Sequence, residues 1–226
     1  VKKLLSPEQA VKLVKTGDVV MVGGFGLSGA PLTLIDELTR HTAKELTIIS
    51  NNLGEPGKGL GKLLLTGAIK KAIGSYFTTN RDAVEAWKKG ELEIELIPQG
   101  TFSEAIRAGG AGIGGFYTKT SVGTKLAEGK ELKEIDGELY VFEKALKADV
   151  SLIKAQKADH LGNLVYYKTA MNFNPPMATA GKIVIAEVDE IVEPGELAPE
   201  TIRTPHVYVD YVVLNKYKKQ GGRYII

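Results

Sequence analysis

Cysteine is absent from the 226 residues. That excludes a disulfide framework, a thiolate nucleophile and a cysteine-ligated zinc site, and it favours a reducing compartment, with the cytoplasm as the default. The three histidines offer no metal-ligand spacing: His41 follows a helix, His160 lies in the turn Asp159-His160-Leu161-Gly162, and His206 adjoins Pro205. No metal site is expected. Excess charge is missing as well, since 29 Lys and Arg against 27 Asp and Glu leave +2, so neither nucleic acid nor an anionic membrane is an expected partner. No apolar run approaches the ~18 residues that span a bilayer. The start, Val1 to Leu5, is read as running into a helix without a signal-type cleavage site. Internal repeats, low-complexity tracts and a clear domain boundary are also lacking, and residues 1–226 are read as one domain with a sizeable core.

What is present is an alternation of strand and helix patterns. Ser6-Pro7-Glu8-Gln9 has the residues of a capping box with proline in the first turn. Asp18 to Gly23 is almost wholly apolar, as a strand covered on both faces should be. Pro31 then opens a helix through Leu34, Ile35 and Leu38, and Leu46 to Ser50 is a second apolar strand, completing a βαβ unit. Ala72 to Tyr76 reads as a strand, followed by a helix capped near Asn80 that carries Val84 and Trp87, and by the strand Leu92 to Ile97. Thr101-Phe102-Ser103-Glu104 predicts another capping box, for a helix that stops at Gly109-Gly110. Lys133 to Phe142 then predicts a hairpin insertion turned by Asp136-Gly137. Later strands are expected at Asp149 to Ala155, Lys182 to Val192 and Val207 to Leu214, separated by loops at Asn172 to Met177 and Glu193 to Pro205. The whole is an α/β fold, a three-layer α/β/α sandwich around a mainly parallel sheet with a small β-hairpin insertion. Ligands in such sheets bind beyond the carboxyl ends of the strands, where Gly23 to Ala30 and Asn51-Asn52 should line one crevice.

Gly24-Phe25-Gly26-Leu27-Ser28-Gly29 matches G-x-G-x-x-G after a strand and before a helix. A dinucleotide site also needs an acidic residue at the end of the second strand, which ends instead in Ser50-Asn51-Asn52. A phosphate loop at Gly61-Lys62 lacks the following Ser or Thr and has Pro56 where glycine is required. What remains is either a tight turn for close strand–helix packing or a set of backbone N–H groups able to hold a phosphate or an oxyanion.

The motifs become specific as an ordered set. Asp18 to Val22 with Gly23-Gly24-Phe25, Gly29 and Pro31 is followed by Ser50-Asn51-Asn52 and by Glu93 to Leu96 before Pro98-Gln99-Gly100-Thr101. Ile106 to Gly112, Lys154 to Gly162-Asn163 and Asn172-Phe173-Asn174-Pro175 complete the order. Together, over roughly residues 8 to 213, they resemble the α (A) subunit of family I coenzyme A transferases.

The resemblance implies ping-pong transfer of CoA between carboxylates through a glutamyl-CoA thioester, as in a 3-oxoacid CoA-transferase using succinyl-CoA or acetyl-CoA and acetoacetate. In that family the glutamate belongs to the β (B) subunit, in a Glu-Asn-Gly type motif that this sequence lacks. The resemblance thus implies a heterotetramer with the β (B) subunit, no catalytic nucleophile in this chain, and CoA as a substrate with no permanently bound cofactor. It maps the CoA-binding segment onto Gly24, Phe25, Gly26, Leu27, Ser28, Gly29 and Ala30 and an active-site glutamine onto Gln99, with Asn51 as a further lining residue. The carboxylates have plainer readings: Glu104 as a cap, Glu93 and Glu95 on a strand face, Glu55 in a turn, and Glu187, Asp189 and Glu190 on a solvated face. An acetate or butyrate CoA-transferase of the same fold, or a non-catalytic nucleotide-binding regulator, are the alternatives.

Overall fold

The computed structural model describes residues 3–217, 219–220 and 223–224; Val1, Lys2 and, in the basic tail Lys216 to Gln220, Lys218 lie outside the described residues. The first element is a strand, β1 (Leu4–Leu5), aligned parallel with Val212 and Val213, so the chain does not run straight into a helix. In α1 (Pro7–Val11) the expected capping box is complete: Gln9 N donates to Ser6 Oγ at 3.2 Å and Ser6 N to Gln9 Oε1 at 3.0 Å. Then β2 (Val19–Val22), α2 (Leu32–Leu38) and β3 (Leu46–Ile49) form the βαβ unit, with β2 and β3 parallel.

The unforeseen helix α3 (Leu60–Leu65) follows, burying Leu60, Leu63 and Leu64. Its glycines hid it from a propensity reading, yet Gly61 is required, because a Cβ there would stand 2.0 Å from Glu55 O. β4 (Ile69–Gly74) begins earlier than expected. Asn80 caps α4 (Arg81–Lys88) by accepting from the N–H groups of Asp82 and Ala83. Trp87 on that helix is 53% exposed, and Ala83 is the buried residue.

After β5 (Glu93–Leu96) comes α5 (Gln99–Gly110), which starts two residues before the expected cap. Pro98 holds the N-cap position, Thr101 is buried inside the helix, and Glu104 pairs with Arg107 at 2.6 Å instead of completing a box. β6 (Gly115–Thr118), β7 (Leu132–Ile135) and β8 (Glu138–Lys144) make an antiparallel sheet: the expected hairpin, with Asp136 and Gly137 at φ +52° and +76°, plus one more strand.

β9 (Ala148–Lys154) precedes the short β10 (Lys157–Asp159) and β11 (Leu164–Val165). The expected loop at 172–177 is mostly helix, α6 (Asn174–Ala180), since Pro175 and Pro176 sit in the first turn, where no N–H is needed. The expected strand from 182 to 192 divides into β12 (Gly181–Val188) and β13 (Glu190–Val192). Tyr208 lies in a 3-10 turn before β14 (Tyr211–Leu214), so it does not share a strand with Tyr211.

Eight parallel strands form the central sheet in the order β1-β14-β12-β9-β2-β3-β4-β5. Strand alternation splits the core in two. Val20, Val22 and Ile48 pack with Ala10, Leu34, Leu63 and Ala83 from α1 to α4 on one face. Met21 and Ile49 pack with Phe102, Ile106 and Met177 from α5 and α6 on the other. This is the three-layer arrangement. No helix among the described residues is long and apolar enough to cross a membrane.

Candidate functional site

From β2 the chain winds outward on one side through β3, β4 and β5, while the other neighbour of β2 is β9, reached much later in sequence. The sheet therefore reverses its winding between β2 and β9, and a ligand crevice in an open parallel sheet lies at such a reversal, beyond the carboxyl ends of the strands. Gly23 to Ala30 leaves β2 at that point.

The loop is a small hairpin. Phe25 N donates to Ser28 O at 2.9 Å and Ser28 N to Phe25 O at 3.1 Å, with Gly26 at φ +61° in the first central position, where a type II′ turn wants glycine. Gly23 N donates to Leu152 O, Gly24 N to Asn172 Oδ1 and Ala30 N to Leu27 O. These bonds engage most of the N–H groups that the glycine pattern suggested for a ligand. Among the described residues only those of Gly26, Leu27 and Gly29 in the loop make no hydrogen bond. Phe25, 52% exposed, stands beside them.

A second hairpin turn leaves β3: Lys58 N donates to Glu55 O at 2.9 Å across Pro56-Gly57, and Glu55 and Lys58 pair at 3.5 Å, both half exposed. It packs on the first, since a Cβ on Gly59 would stand 2.8 Å from Leu27 Cδ2. Asn51, at the end of β3, is only 1% exposed. Its Nδ2 donates to Ser75 Oγ at 2.7 Å and to Gln99 Oε1 at 3.3 Å. Asn51 thus reaches under the end of β4 to orient Gln99, which is itself exposed in the first turn of α5. With Oε1 engaged by Asn51, the Gln99 amide N–H₂ is the end left for a ligand. Gln99 and Asn51 touch each other, while no hydrogen bond among the described residues joins either to Gly24–Ala30; the sheet spaces them along one edge.

The carboxylates near β12 do not form a solvated face. Glu187 is 1% exposed; its Oε2 accepts from Leu34 N in α2 at 3.1 Å, and Lys154 Nζ lies 3.7 Å from Oε1. Parallel register puts Lys154 of β9 directly beside Glu187 of β12. Lys154 Nζ also pairs with Asp189 at 2.5 Å, and Asp189 accepts from Asn215 Nδ2 at 2.8 Å. Burial pushes the Glu187 carboxyl up to about 7, against the opposing pull of Lys154 and of the Leu34 and Thr33 N–H groups. Glu190, by contrast, is exposed and pairs with Lys157 at 2.8 Å. No group of three or more His, Asp or Glu among the described residues is arranged to hold a metal ion.

Sequence reading passed over Asn172 and Asn174 as site residues, although both occur in a quoted motif. Both side chains bond to the glycine loop. A signal was available in the pair of asparagines flanking Phe173, but their targets lie some 145 residues away.

Residues 4–215 match the family described as Coenzyme A transferase. The α (A) subunit of succinyl-CoA:3-ketoacid coenzyme A transferase from Xanthomonas campestris pv. campestris (strain B100) is 54% identical over 203 residues, 90% of this chain and 84% of that protein. The α subunit of acetate CoA-transferase from Escherichia coli (strain K12) is 41% identical over 217 residues, 96% of this chain and 99% of that protein. The acyl-CoA transferase YdiF of E. coli O157:H7, solved as a thioester complex with CoA, superposes with a TM-score of 0.86 at 24% identity, over 98% of this chain and 49% of that one. That likeness is one of fold, and this chain spans about half the length of the YdiF chain.

Proposed function

The chain belongs to the coenzyme A transferase family, and we propose from that premise that residues 1–226 act as the α (A) subunit of a cytoplasmic 3-oxoacid CoA-transferase. It moves CoA from succinyl-CoA or acetyl-CoA to acetoacetate or another short carboxylic acid, and its partner in a heterotetramer is the β (B) subunit. The observation that carries the reading is the placement of the glycine loop and Gln99 along one carboxyl edge of the sheet without a free carboxylate beside them. Glu55 is paired with Lys58, and Glu187 and Asp189 are both engaged by Lys154.

The nucleophile accordingly comes from the β (B) subunit. Its glutamate attacks the thioester carbonyl, the C–S bond breaks, and an acyl-glutamyl anhydride and CoA thiolate result. The thiolate then attacks the glutamyl carbonyl, which releases the first acid and leaves glutamyl-CoA. The second carboxylate repeats the sequence in reverse and frees the glutamate. Each addition develops an oxyanion. In this chain the unengaged N–H groups of Gly26, Leu27 and Gly29, flanked by Phe25, Ser28 and Ala30, receive CoA or that oxyanion, and the Gln99 amide donates toward the reacting carbonyl. Contacts to the distant parts of CoA supply binding energy that is used at the thioester.

The test compares the chain alone, its β (B) partner alone and the co-expressed pair, with acyl-CoA and acetoacetate as substrates. Activity is expected only from the pair, with mass spectrometry placing the covalent adduct on the partner; full activity from this chain alone overturns the reading. Gln99→Ala in the pair is expected to lower kcat by ~10²-fold or more with an unchanged melting temperature, the usual worth of one preorganised donor. The relative named for acetate CoA transfer favours a second reading with acetate as the acid, which substrate profiling separates from the first. A nucleotide-binding regulator would leave transfer unaffected by Gln99→Ala. Native mass measurement of the pair tests the heterotetramer.

A further inference from the structure

Gly23 to Ala30 carries no charged side chain and makes few bonds to the sheet of its own, yet the crevice requires it to hold one shape. The restraint comes from a segment about 145 residues later in sequence. Asn172 Oδ1 accepts from Gly24 N at 3.1 Å and from Phe173 N at 2.7 Å, while its Nδ2 donates to the carbonyls of Ser28, Thr169 and Ala170 at 3.0, 3.2 and 3.3 Å. The amide orientation is dictated by these partners, because two N–H donors face one end and three carbonyls the other.

Asn174, 0% exposed, accepts from Lys154 N at 2.8 Å and donates to Gly29 O and Ala170 O, both at 3.0 Å. The loop glycines are cut to fit these contacts. A Cβ on Gly23 would stand 1.8 Å from Asn174 Oδ1, and one on Gly29 would stand 2.2 Å from Ala170 O and 2.8 Å from Asn172 Nδ2. The clamping segment itself holds Lys168 at φ +48° and Asn172 at φ +23°, conformations that L residues seldom adopt and that persist only where surrounding contacts enforce them.

We propose that Asn172 and Asn174 are positioning residues for acyl-CoA. They clamp both ends of the glycine loop, at Gly24 and at Ser28-Gly29, and so hold the tip with the N–H groups of Gly26, Leu27 and Gly29 turned to the ligand. The inference rests on the reading of this loop as the acyl-CoA loop. A turn that needed only its backbone conformation would be served equally well by glycine, which accepts positive φ without a side chain.

Asn172→Gly in the co-expressed pair separates the two roles, because it keeps the permissive backbone and removes the clamp. Three readouts decide. Deuterium uptake of the peptide covering residues 23–30 is expected to rise, kcat/KM for acyl-CoA to fall about tenfold, the equivalent of one net hydrogen bond, and kcat/KM for the acceptor acid and the melting temperature to stay near those of the parent. Unchanged uptake in the loop overturns the clamp. Raised uptake with unchanged kcat/KM for acyl-CoA overturns the role in catalysis and places the fault in the assignment of the loop to acyl-CoA. Equal losses for both substrates together with a collapse in melting temperature overturn the proposal in favour of a purely structural asparagine.

Discussion

Gly29→Ala is expected to lower CoA transfer by the assembled enzyme at least about a hundredfold, because a misplacement of roughly 1 Å in a positioning element has that effect on rate. Two costs combine at this position. The backbone sits at φ +69°, where a side chain costs about 1–2 kcal/mol. The added Cβ would also meet the Ala170 carbonyl at 2.2 Å, a contact with backbone that cannot swing away, and overpacking of this sort costs about 1–3 kcal/mol. The sum corresponds to a drop in melting temperature on the order of 10 °C for a chain of this length. Gly26→Ala is the control for stability. Gly26 has a similar φ of +61°, but nothing lies within 4 Å of the place an added methyl would take, so only the conformational cost of about 1 kcal/mol should appear in its thermal melt. Equal melting temperatures for the two variants would show that the 170–172 segment does not press on the loop.

Lys154→Met is expected to destabilise the chain by about 3–5 kcal/mol, since it leaves the buried Glu187 carboxylate without its cation. Asp189, joined to the same ammonium, loses a partner as well. Chemical denaturation at neutral pH measures the loss, and a change below about 1 kcal/mol would mean that the ion cluster contributes nothing net.

The same cluster makes a pH prediction with a definite sign. Glu187 rises from an ordinary 4.5 to about 7 on folding, so between those values the folded chain keeps a proton that the unfolded chain has lost. The associated stability is present in full below about 4.5 and disappears as pH rises through about 7. At about 1.36 kcal/mol per unit it amounts to about 3 kcal/mol. Glu187→Gln carries no such proton, so its melting temperature relative to the parent should climb from about pH 5 to about pH 8. A difference that is flat over that range would show that Glu187 is ionised throughout in the folded chain.

Features that depend on neighbours in sequence were legible at once. The Ser6 and Gln9 capping box, the turn at Asp136-Gly137 and the apolar run of β2 need only short-range sterics and hydrogen bonding, and each forms where its residues predict. The limits of local reading appear in α5 and α6. The Thr101 to Glu104 pattern lies inside a helix that Pro98 had already begun, and two prolines that suggested a loop open a helix instead. The candidate site followed the same division. The ordered motifs pointed to the family and to Gly24–Ala30, Gln99 and Asn51, but which N–H groups of the loop remain for a ligand depended on Leu152 and Asn172, which no local pattern connects to it.

By itself, then, the sequence determined the parallel α/β architecture, the family and the position of the glycine loop after the first buried strand, because strand periodicity, caps and motif order are written in adjacent residues. Only the tertiary structure decided that Glu187 is buried and not solvated, and that Asn172 and Asn174 hold the loop. The physical reason is the same for both. Burial and hydrogen-bond partnership are set by sheet register and strand order, which bring Lys154 beside Glu187 and Asn174 beside Gly29 across long stretches of chain.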